Sequence, residues 1–126
     1  MQVGDTFTWH RLFTRADVLS FSNITQDFGS LHVTPNRFGQ VRVHSLLIAS
    51  IATKMGGDLN FFSETLNHTF HKAVYTGETI TCTIKIIDLQ SLTDTFFVKM
   101  HLLFTNEAEE TVATGEGSGY IPKPIS

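Results

Sequence analysis

The alternation of apolar and polar residues changes its period along the chain, and the second half follows a period of two. Residues 79–86 alternate strictly, and residues 96–104 repeat the same pattern. The apolar face of the first of these segments consists of Ile80, Cys82, Ile84 and Ile86. A rougher strand over 63–72 and a glycine-containing strand over 110–121 complete the set. Four strands in a row with short turns predict an antiparallel sheet.

The first half of the chain begins with a short strand and then follows a helical period. Residues 6–13 are β-prone. Thr14 and Asp17 have the spacing of a capping box, in which each residue closes a free backbone N–H at the start of a helix. The apolar face of that helix would consist of Val18, Phe21 and Ile24. We therefore predict a short helix over about 15–25, followed by a loop over 27–42.

The most apolar helical segment runs from Ser45 to Met55 and is followed by Gly56-Gly57, a sequence that favours a helix end. Apolar residues occur nearly all round this helix, which is typical of a helix buried on several sides. Its length would be about 16 Å, so we expect the sheet to wrap round it. Phe97 and Leu103 lie on the otherwise polar face of their strand, which indicates contact with a second subunit.

Composition limits the classes of protein that fit. The chain has 126 residues, 41% hydrophobic and 17% charged, which predicts a single globular domain over 1–126. A net charge of −3 with no basic run argues against nucleic acid or an anionic membrane as partner. No segment has the roughly 20 apolar residues of a membrane span, and we recognise no signal peptide. With a single cysteine, Cys82, these features favour the cytoplasm. The eleven Phe residues fit either a plain core or the lining of an apolar ligand pocket.

The residues with the clearest chemical potential are Asp27 and His32, which lie five positions apart in the predicted loop. A carboxylate and an imidazole side by side can hold one water molecule and move its proton near neutral pH. The alternative is structural: Asp27 caps a turn, and His32 bonds to the backbone. Spacing alone leaves both interpretations open.

The start of the central helix offers a second feature. Free N–H groups around Ser45 and Leu46 would point at an anion or a polarised carbonyl, and a thioester oxygen placed there would be stabilised as it gains charge. Alternatively, Ser45 simply caps the helix. His44 beside it is a candidate site residue with an equally simple structural alternative.

Three short segments in a fixed order resemble the motifs of one known family, the MaoC-like (R)-specific enoyl-CoA hydratases. The family motif Asp-x-Asn-Pro-x-His resembles residues 27–32, Asp-Phe-Gly-Ser-Leu-His. The family segment Phe-Gly-x-x-Ile-x-His-Gly resembles residues 38–45, Phe-Gly-Gln-Val-Arg-Val-His-Ser. The segment Phe-x-x-Pro-Val-x-x-Gly-Asp resembles residues 70–78, Phe-His-Lys-Ala-Val-Tyr-Thr-Gly-Glu. The resemblance covers nearly the whole chain.

This resemblance implies an α+β hotdog fold, an antiparallel sheet wrapped round a central apolar helix, in a homodimer or a dimer of dimers. It implies a trans-2-enoyl thioester of coenzyme A or acyl carrier protein as substrate, with Asp27 and His32 as the catalytic pair. The substrate-binding residues would be Gly29, His44, Ser45 and Leu46, with the backbone at Ser45 holding the thioester carbonyl. It implies no metal and no bound cofactor.

The departures from the family pattern leave two other functions to weigh. Gly29 replaces an Asn whose amide helps to order the site, Ser30 and Ala73 replace prolines, and Ser45 replaces a glycine. A hotdog protein that binds acyl-CoA without turning it over fits the loss at Gly29. An acyl-CoA thioesterase usually has its acid on the central helix, and residues 45–55 contain neither Asp nor Glu. We therefore expect a hydratase or dehydratase.

Overall fold

The computed structural model describes residues 1–124 and confirms the predicted antiparallel sheet. In chain order the elements are β1 (Thr6–Leu12), α1 (Arg15–Thr25), α2 (Ser30–Val33), α3 (Ser45–Ala49), α4 (Ile51–Asp58), β2 (Phe62–Phe70), β3 (Thr79–Ser91), β4 (Thr95–Thr105) and β5 (Thr111–Pro122). The five strands are ordered β1-β3-β4-β5-β2 in one sheet. Strands β1 and β2 therefore form its two edges.

The buried face of the sheet is the one that strict alternation predicts. The side chains of β3 and β4 that point to the core are Ile80, Cys82, Ile84, Ile86, Val98, Met100, Leu102 and Phe104. They face the helical segment α3–α4 together with Val112, Ala113 and Ile121 of β5. Cutting back one such fully buried side chain, as in Ile80→Ala, should cost about 2–5 kcal/mol of folding free energy, because a cavity is left behind.

Helix α1 begins at the predicted capping box. The N–H of Asp17 donates to Oγ1 of Thr14 over 3.1 Å, and the N–H of Thr14 donates to the Asp17 carboxylate over 3.0 Å. Arg11 of β1 also pairs with Asp17, at 2.7 Å, and this pairing lowers the pKa of the carboxyl group. The helix ends at Gln26, whose left-handed backbone (φ 63°) turns the chain towards Asp27.

The central helix differs from the prediction in two ways. It is divided at Ser50, whose hydroxyl donates to the carbonyl of Leu47 over 2.6 Å and so competes with the regular backbone pattern. It also continues through Gly56-Gly57 to Asp58, so the prediction that these glycines end the helix is wrong. The left-handed residue that closes the helix is Asn60 (φ 53°), whose N–H donates to the Gly57 carbonyl.

The central helix is buried on one side rather than all round. Leu47, Ile48, Ile51 and Met55 pack into the core, whereas the side chain of Leu46 is 65% exposed. A sheet contributed by a single chain covers one side of this helix only. Among the helices of residues 1–124, none is long and apolar enough to cross a membrane.

The region 27–42, predicted as loop, contains the one-turn helix α2. Its backbone is closed by the N–H of Thr34, which donates to the carbonyl of Ser30 over 2.9 Å. The helix stops at this point because Thr34 precedes Pro35, and a residue before proline is driven to an extended backbone. The short helix matters because it includes His32.

Candidate active site

Asp27 lies in the sharp turn between α1 and α2. Its N–H donates to Oγ1 of Thr25 over 3.2 Å, and its Oδ1 accepts from the N–H of Gly29 over 3.0 Å. The structural interpretation of Asp27 as a turn cap is therefore correct, because its carboxylate accepts from the N–H of Gly29. The cap uses only one oxygen, and the side chain remains 52% exposed.

His32 is held by α2 with its side chain only 14% exposed. Its Nδ1 lies 2.6 Å from the backbone carbonyl of Arg42. A carbonyl only accepts, so this contact places the ring proton on Nδ1 and leaves the lone pair on Nε2. The Arg42 backbone is fixed in turn, since its N–H donates to the carbonyl of Leu31 over 2.9 Å. The backbone bond thus sets the tautomer of His32.

The free atoms of the two residues face each other. Nε2 of His32 is 3.7 Å from Oδ2 of Asp27. This separation is too long for a direct hydrogen bond, and it suits a water molecule that donates one hydrogen to each atom. The structure therefore brings together the two residues that the sequence proposes as a catalytic pair.

His44 is stacked against His32 and is nearly fully buried. Its side chain is 4% exposed, and its Nε2 lies 3.1 Å from Oγ of Ser22 and 3.4 Å from the carbonyl of Asp27. Burial is the main reason that the pKa of His44 is lowered; the bond to the Asp27 carbonyl opposes this effect, and the nearby His32 ring adds to it. His44 is therefore neutral near pH 7.

Ser22 is a site residue that sequence reasoning missed. It is 1% exposed and lies on the buried side of α1, between the core and His44. The helical period gives the only signal, because Ser22 follows Val18 by four residues and falls on the same face. A polar residue on a predicted apolar face needs a partner, and here the partner is 22 residues away.

The pair opens into a recess of about 380 Å³ between α1, α2 and the start of α3. Its lining consists of Phe21, Thr25, Asp27, Leu31, His32, Arg42, Val43, His44, Ser45 and Leu46. Helix α3 begins here with His44 as its N-cap and no side chain capping it, so Ser45 does not act as the cap. The first backbone bond of the helix runs from the N–H of Ile48 to the carbonyl of His44. The N–H groups before Ile48 are the ones that a helix start leaves free.

Gly29 is at the N-cap of α2 with φ −53° and ψ 147°, a backbone that any residue adopts. The space beside it is tighter than its backbone. A Cβ atom at this position would lie 3.2 Å from Oδ1 of Asp27, so that carboxylate would have to yield by a few tenths of an ångström. Gly29 therefore affects Asp27 in two ways. Its N–H donates to the carboxylate, and the absence of a side chain leaves space for that carboxylate.

Asp27, His32 and His44 each offer a possible metal ligand, and these atoms lie within 4.8 Å of one another. The two imidazoles, however, are stacked nearly parallel, with planes inclined by 14°. Their in-plane lone pairs run side by side, whereas a metal ion needs lone pairs that converge on one point. The arrangement is suited to holding a proton and a water molecule.

The chain is similar in sequence and in structure to known hydratases and dehydratases. No family model matches the chain. It is 26% identical over 133 residues to a mitochondrial 3-hydroxyacyl-[acyl-carrier-protein] dehydratase of Arabidopsis thaliana, covering 97% of this chain and 78% of the relative. Among solved structures, the (R)-hydratase of A. caviae involved in PHA biosynthesis superposes with a TM-score of 0.86 at 21% identity, covering 97% of this chain and 98% of that one. A MaoC-like dehydratase of Rhodospirillum rubrum superposes with a TM-score of 0.75 at 13% identity, covering 99% and 96%.

Proposed function

We propose that this chain, which shares the fold of an (R)-hydratase and of a MaoC-like dehydratase, adds water to a trans-2-enoyl thioester and runs the reverse dehydration. The observation that carries this proposal is the 3.7 Å gap between Oδ2 of Asp27 and Nε2 of His32 at the mouth of a recess. The name of the plant relative, a 3-hydroxyacyl dehydratase, supports the same reaction.

The chemistry follows from where the two free atoms point. A water molecule donating one hydrogen to Oδ2 of Asp27 and the other to Nε2 of His32 has its oxygen lone pairs directed outwards, towards the substrate. As the oxygen bonds to C3 of the enoyl group, the pair accepts one proton and delivers it to C2 from the same side. One O–H bond of the water and the C2–C3 π bond break while a C3–O bond and a C2–H bond form on the same face, so the addition is syn and leaves the pair unchanged.

The thioester carbonyl needs a donor while the electrons of the double bond shift towards it. The N–H groups at the start of α3, around Ser45 and Leu46, border the same recess as the pair. They would hold the carbonyl oxygen as it becomes an enolate. Ser45 and Leu46 act through their backbone in this scheme, Gly29 through the N–H that fixes Asp27, and His44 by supporting His32.

The carrier is coenzyme A or acyl carrier protein, and the substrate itself brings the thioester, so no metal or separate cofactor enters the mechanism. The name of the plant relative includes acyl carrier protein, whereas the name of the A. caviae (R)-hydratase states no carrier. We also propose the cytoplasm as the compartment, although the plant relative is named mitochondrial. The buried, unpaired Cys82, with a pKa raised to about 12, is suited to a reducing compartment.

The assembly that we propose is a homodimer, or a dimer of dimers, that joins the β2 edges of two chains. Phe62 on this edge strand is 74% exposed. Phe62 of β2 pairs with Tyr120 of β5, and Tyr120 pairs in turn with Phe97 of β4. These three aromatic residues form a row across the sheet that ends at the β2 edge. The ring of Phe97 packs on Tyr120 with centroids 5.2 Å apart, so its partial burial arises within one chain. Two copies of an unpaired edge fit an isologous contact.

Hydration of crotonyl-CoA tests the proposal directly. We expect the absorbance of the enoyl thioester to fall when the protein is added, and chiral analysis to give the (R)-3-hydroxy product. Binding of crotonyl-CoA with no hydration would favour the non-enzymatic acyl-CoA-binding alternative. Release of free coenzyme A would favour a thioesterase, for which the central helix offers only Asp58, near its end and paired with Lys54.

A further inference from the structure

A second cavity, separate from the recess at Asp27, lies on the core side of the sheet beneath the central helix. It measures about 310 Å³ and is bordered by β2, β3, β4 and the helical segment α3–α4. Its walls are largely apolar and include Ala52, Gly56, Phe61, Ile84, Met100 and Leu102. Cavities of this size and character take small apolar ligands, which a few polar groups orient.

The cavity begins one helical turn from the proposed carbonyl site. Ala49, on its wall, follows Ser45 by four residues, and Ala52 follows Ser45 by seven. At a rise of ~1.5 Å per residue within α3, Ala49 lies about 6 Å from Ser45 along the helix axis, and Ala52 lies beyond the division at Ser50. An acyl chain attached to a thioester at Ser45 would extend along this helix towards the wall of the cavity.

His68 of β2 is the one ionisable side chain among the residues that line the cavity. Its ring lies 6.0 Å from the ring of Phe70 and 6.0 Å from that of Phe104. Its Nδ1 is buried and has no hydrogen-bond partner among residues 1–124. A buried imidazole nitrogen without a partner is costly, so this position calls for an explanation.

The backbone beside His68 is shaped to admit the ring. A Cβ atom at Gly115 of β5 would lie 2.7 Å from Nδ1 of His68 and 2.8 Å from the backbone oxygen of Asn67. Only glycine leaves this space, so the imidazole and Gly115 form a fitted pair. A leucine at position 68 would avoid the unpaired nitrogen and suit the apolar walls. The histidine therefore places a polar ring in an otherwise largely apolar wall, where a ligand can bond to it.

We infer that this cavity receives the distal part of the acyl chain and that His68 selects chains with a neutral hydrogen-bonding group, a hydroxyl or a keto oxygen, in that part. The inference rests on the proposed function for the position of the thioester. A half-turn about the Cβ–Cγ bond of histidine, which is a soft torsion, exchanges Nδ1 with Cδ2 and so moves Nδ1 from Gly115 to the opposite edge of the ring. The hydroxyl groups of Thr53 and Ser63 lie on the same lining and can share the ligand's remaining hydrogen bond.

The ligand group should be neutral because nothing in the cavity compensates a charge. Lys and Arg are missing from the lining residues, all of which lie within residues 1–124. Burial also lowers the pKa of His68, which keeps the ring neutral near pH 7, with one nitrogen donating and the other accepting. A carboxylate at the end of the acyl chain would lose its hydration without gaining a cation.

Binding of saturated thioesters tests this inference without the hydration reaction. Calorimetry would compare hexanoyl-CoA with 6-hydroxyhexanoyl-CoA, and then the matched pairs with four and eight carbons. For at least one length we expect the hydroxylated ligand to bind about tenfold more tightly, since a site built to bond a hydroxyl discriminates against the ligand that lacks it. The corresponding terminal carboxylate should bind more weakly than either.

Variants assign the preference to His68. His68→Leu should lose the preference for the hydroxylated chain and bind the plain chain at least as well as the wild type does. His68→Gln, which keeps a donor and an acceptor, should retain part of the preference, and serves if the leucine variant folds poorly. His101→Leu, the same substitution at an exposed position of β4, is the matched control.

The outcomes separate this inference from the proposed reaction. Equal affinity for plain and hydroxylated chains at every length, a preference unchanged in His68→Leu, or no binding of either ligand would overturn the role of His68. The first two results would leave hydration of crotonyl-CoA unaffected, because its four-carbon acyl group lacks a distal polar atom. Conversely, a protein that shows the preference but hydrates nothing would refute the reaction and keep the subsite.

Discussion

The imidazole ring of His44 is stacked on that of His32, with the two ring centroids 3.7 Å apart and the planes inclined by 14°. His44 is in turn fixed by Ser22, whose hydroxyl lies 3.1 Å from its Nε2. The stacked ring of His44 and the hydrogen bond to the Arg42 carbonyl together hold His32 in one orientation. In the proposed reaction Ser22 and His44 are therefore positioning residues, because they would act on the substrate only through His32.

Replacing Ser22 with alanine tests this support. We expect kcat for enoyl hydration to fall by about tenfold with KM nearly unchanged, because a small loss of alignment at a catalytic group is costly. The thermal stability should fall too, since leaving a buried polar group unpaired costs about 1–3 kcal/mol. Ser20→Ala, an exposed serine on the same helix, is the control. A lower Tm with kcat and its pH profile unchanged would reduce Ser22 to a structural role.

Gly29 is the most direct departure from the family motif, and two variants separate its possible effects. Both Gly29→Ala and Gly29→Asn introduce a Cβ atom 3.2 Å from Oδ1 of Asp27, so both disturb the carboxylate to a similar degree. Only asparagine adds the amide that the family uses to order its site. We expect kcat/KM of Gly29→Asn to exceed that of Gly29→Ala, and to exceed the wild-type value by roughly tenfold if orientation is what limits this chain. An asparagine variant no faster than the alanine variant would show that the loop is ordered in another way.

The buried histidines should make the protein sensitive to acid. Burial lowers the pKa of both His44 and His68 in the folded chain. Below about pH 6.5, the value of an unfolded histidine, the unfolded chain binds protons that the folded chain does not, so acid favours unfolding. We expect Tm to be steady above neutral pH and to fall as the pH drops from about 7 towards 5. His68→Leu should flatten that fall; an unchanged slope would mean that its ring takes up protons equally in both states.

A structural feature could be predicted from the sequence when residues close together in the chain determine it. Strands β3 and β4 were predictable because burial of one face imposes strict alternation on neighbouring residues. The capping box at Thr14 is equally local, since its two members are three residues apart. Asp27 and His32 were found for the same reason: one turn and one short helix bring them together.

The features that sequence reasoning missed depend on contacts between distant residues. Ser22 meets His44, and His68 meets Gly115, across separations that no local pattern records. The end of the central helix was misplaced because packing of its apolar side outweighs the weak helix propensity of two glycines, about 1 kcal/mol each relative to alanine. In these cases tertiary contacts overrule the local preference.

The proposed dimer contact can be disrupted at a single exposed side chain. The wild-type protein should sediment as a dimer, or a multiple of one, at micromolar concentration. Phe62→Lys places a charge on the β2 edge and should shift the protein towards monomer. Phe38→Lys, at a 70% exposed phenylalanine in the loop before α3, is the matched control. A wild-type protein that sediments only as a monomer would refute the dimer.

The proposed catalytic pair makes the sharpest prediction, because its two members would act on one water molecule. We expect Asp27→Asn and His32→Ala each to reduce the hydration of crotonyl-CoA by about 10² to 10⁴, the usual range for acid–base catalysis. Asparagine preserves the shape of Asp27 and can still accept from the N–H of Gly29, so the turn should survive while the charge is lost. The double variant should be little slower than the slower single variant, since removing either partner disables the same step. Asp94→Asn and His10→Ala, both exposed, are the matched controls, and the Tm of every variant should stay near the wild-type value. Losses that multiply in the double variant would mean that the two residues act in separate steps, and near-normal single variants would place the active site elsewhere.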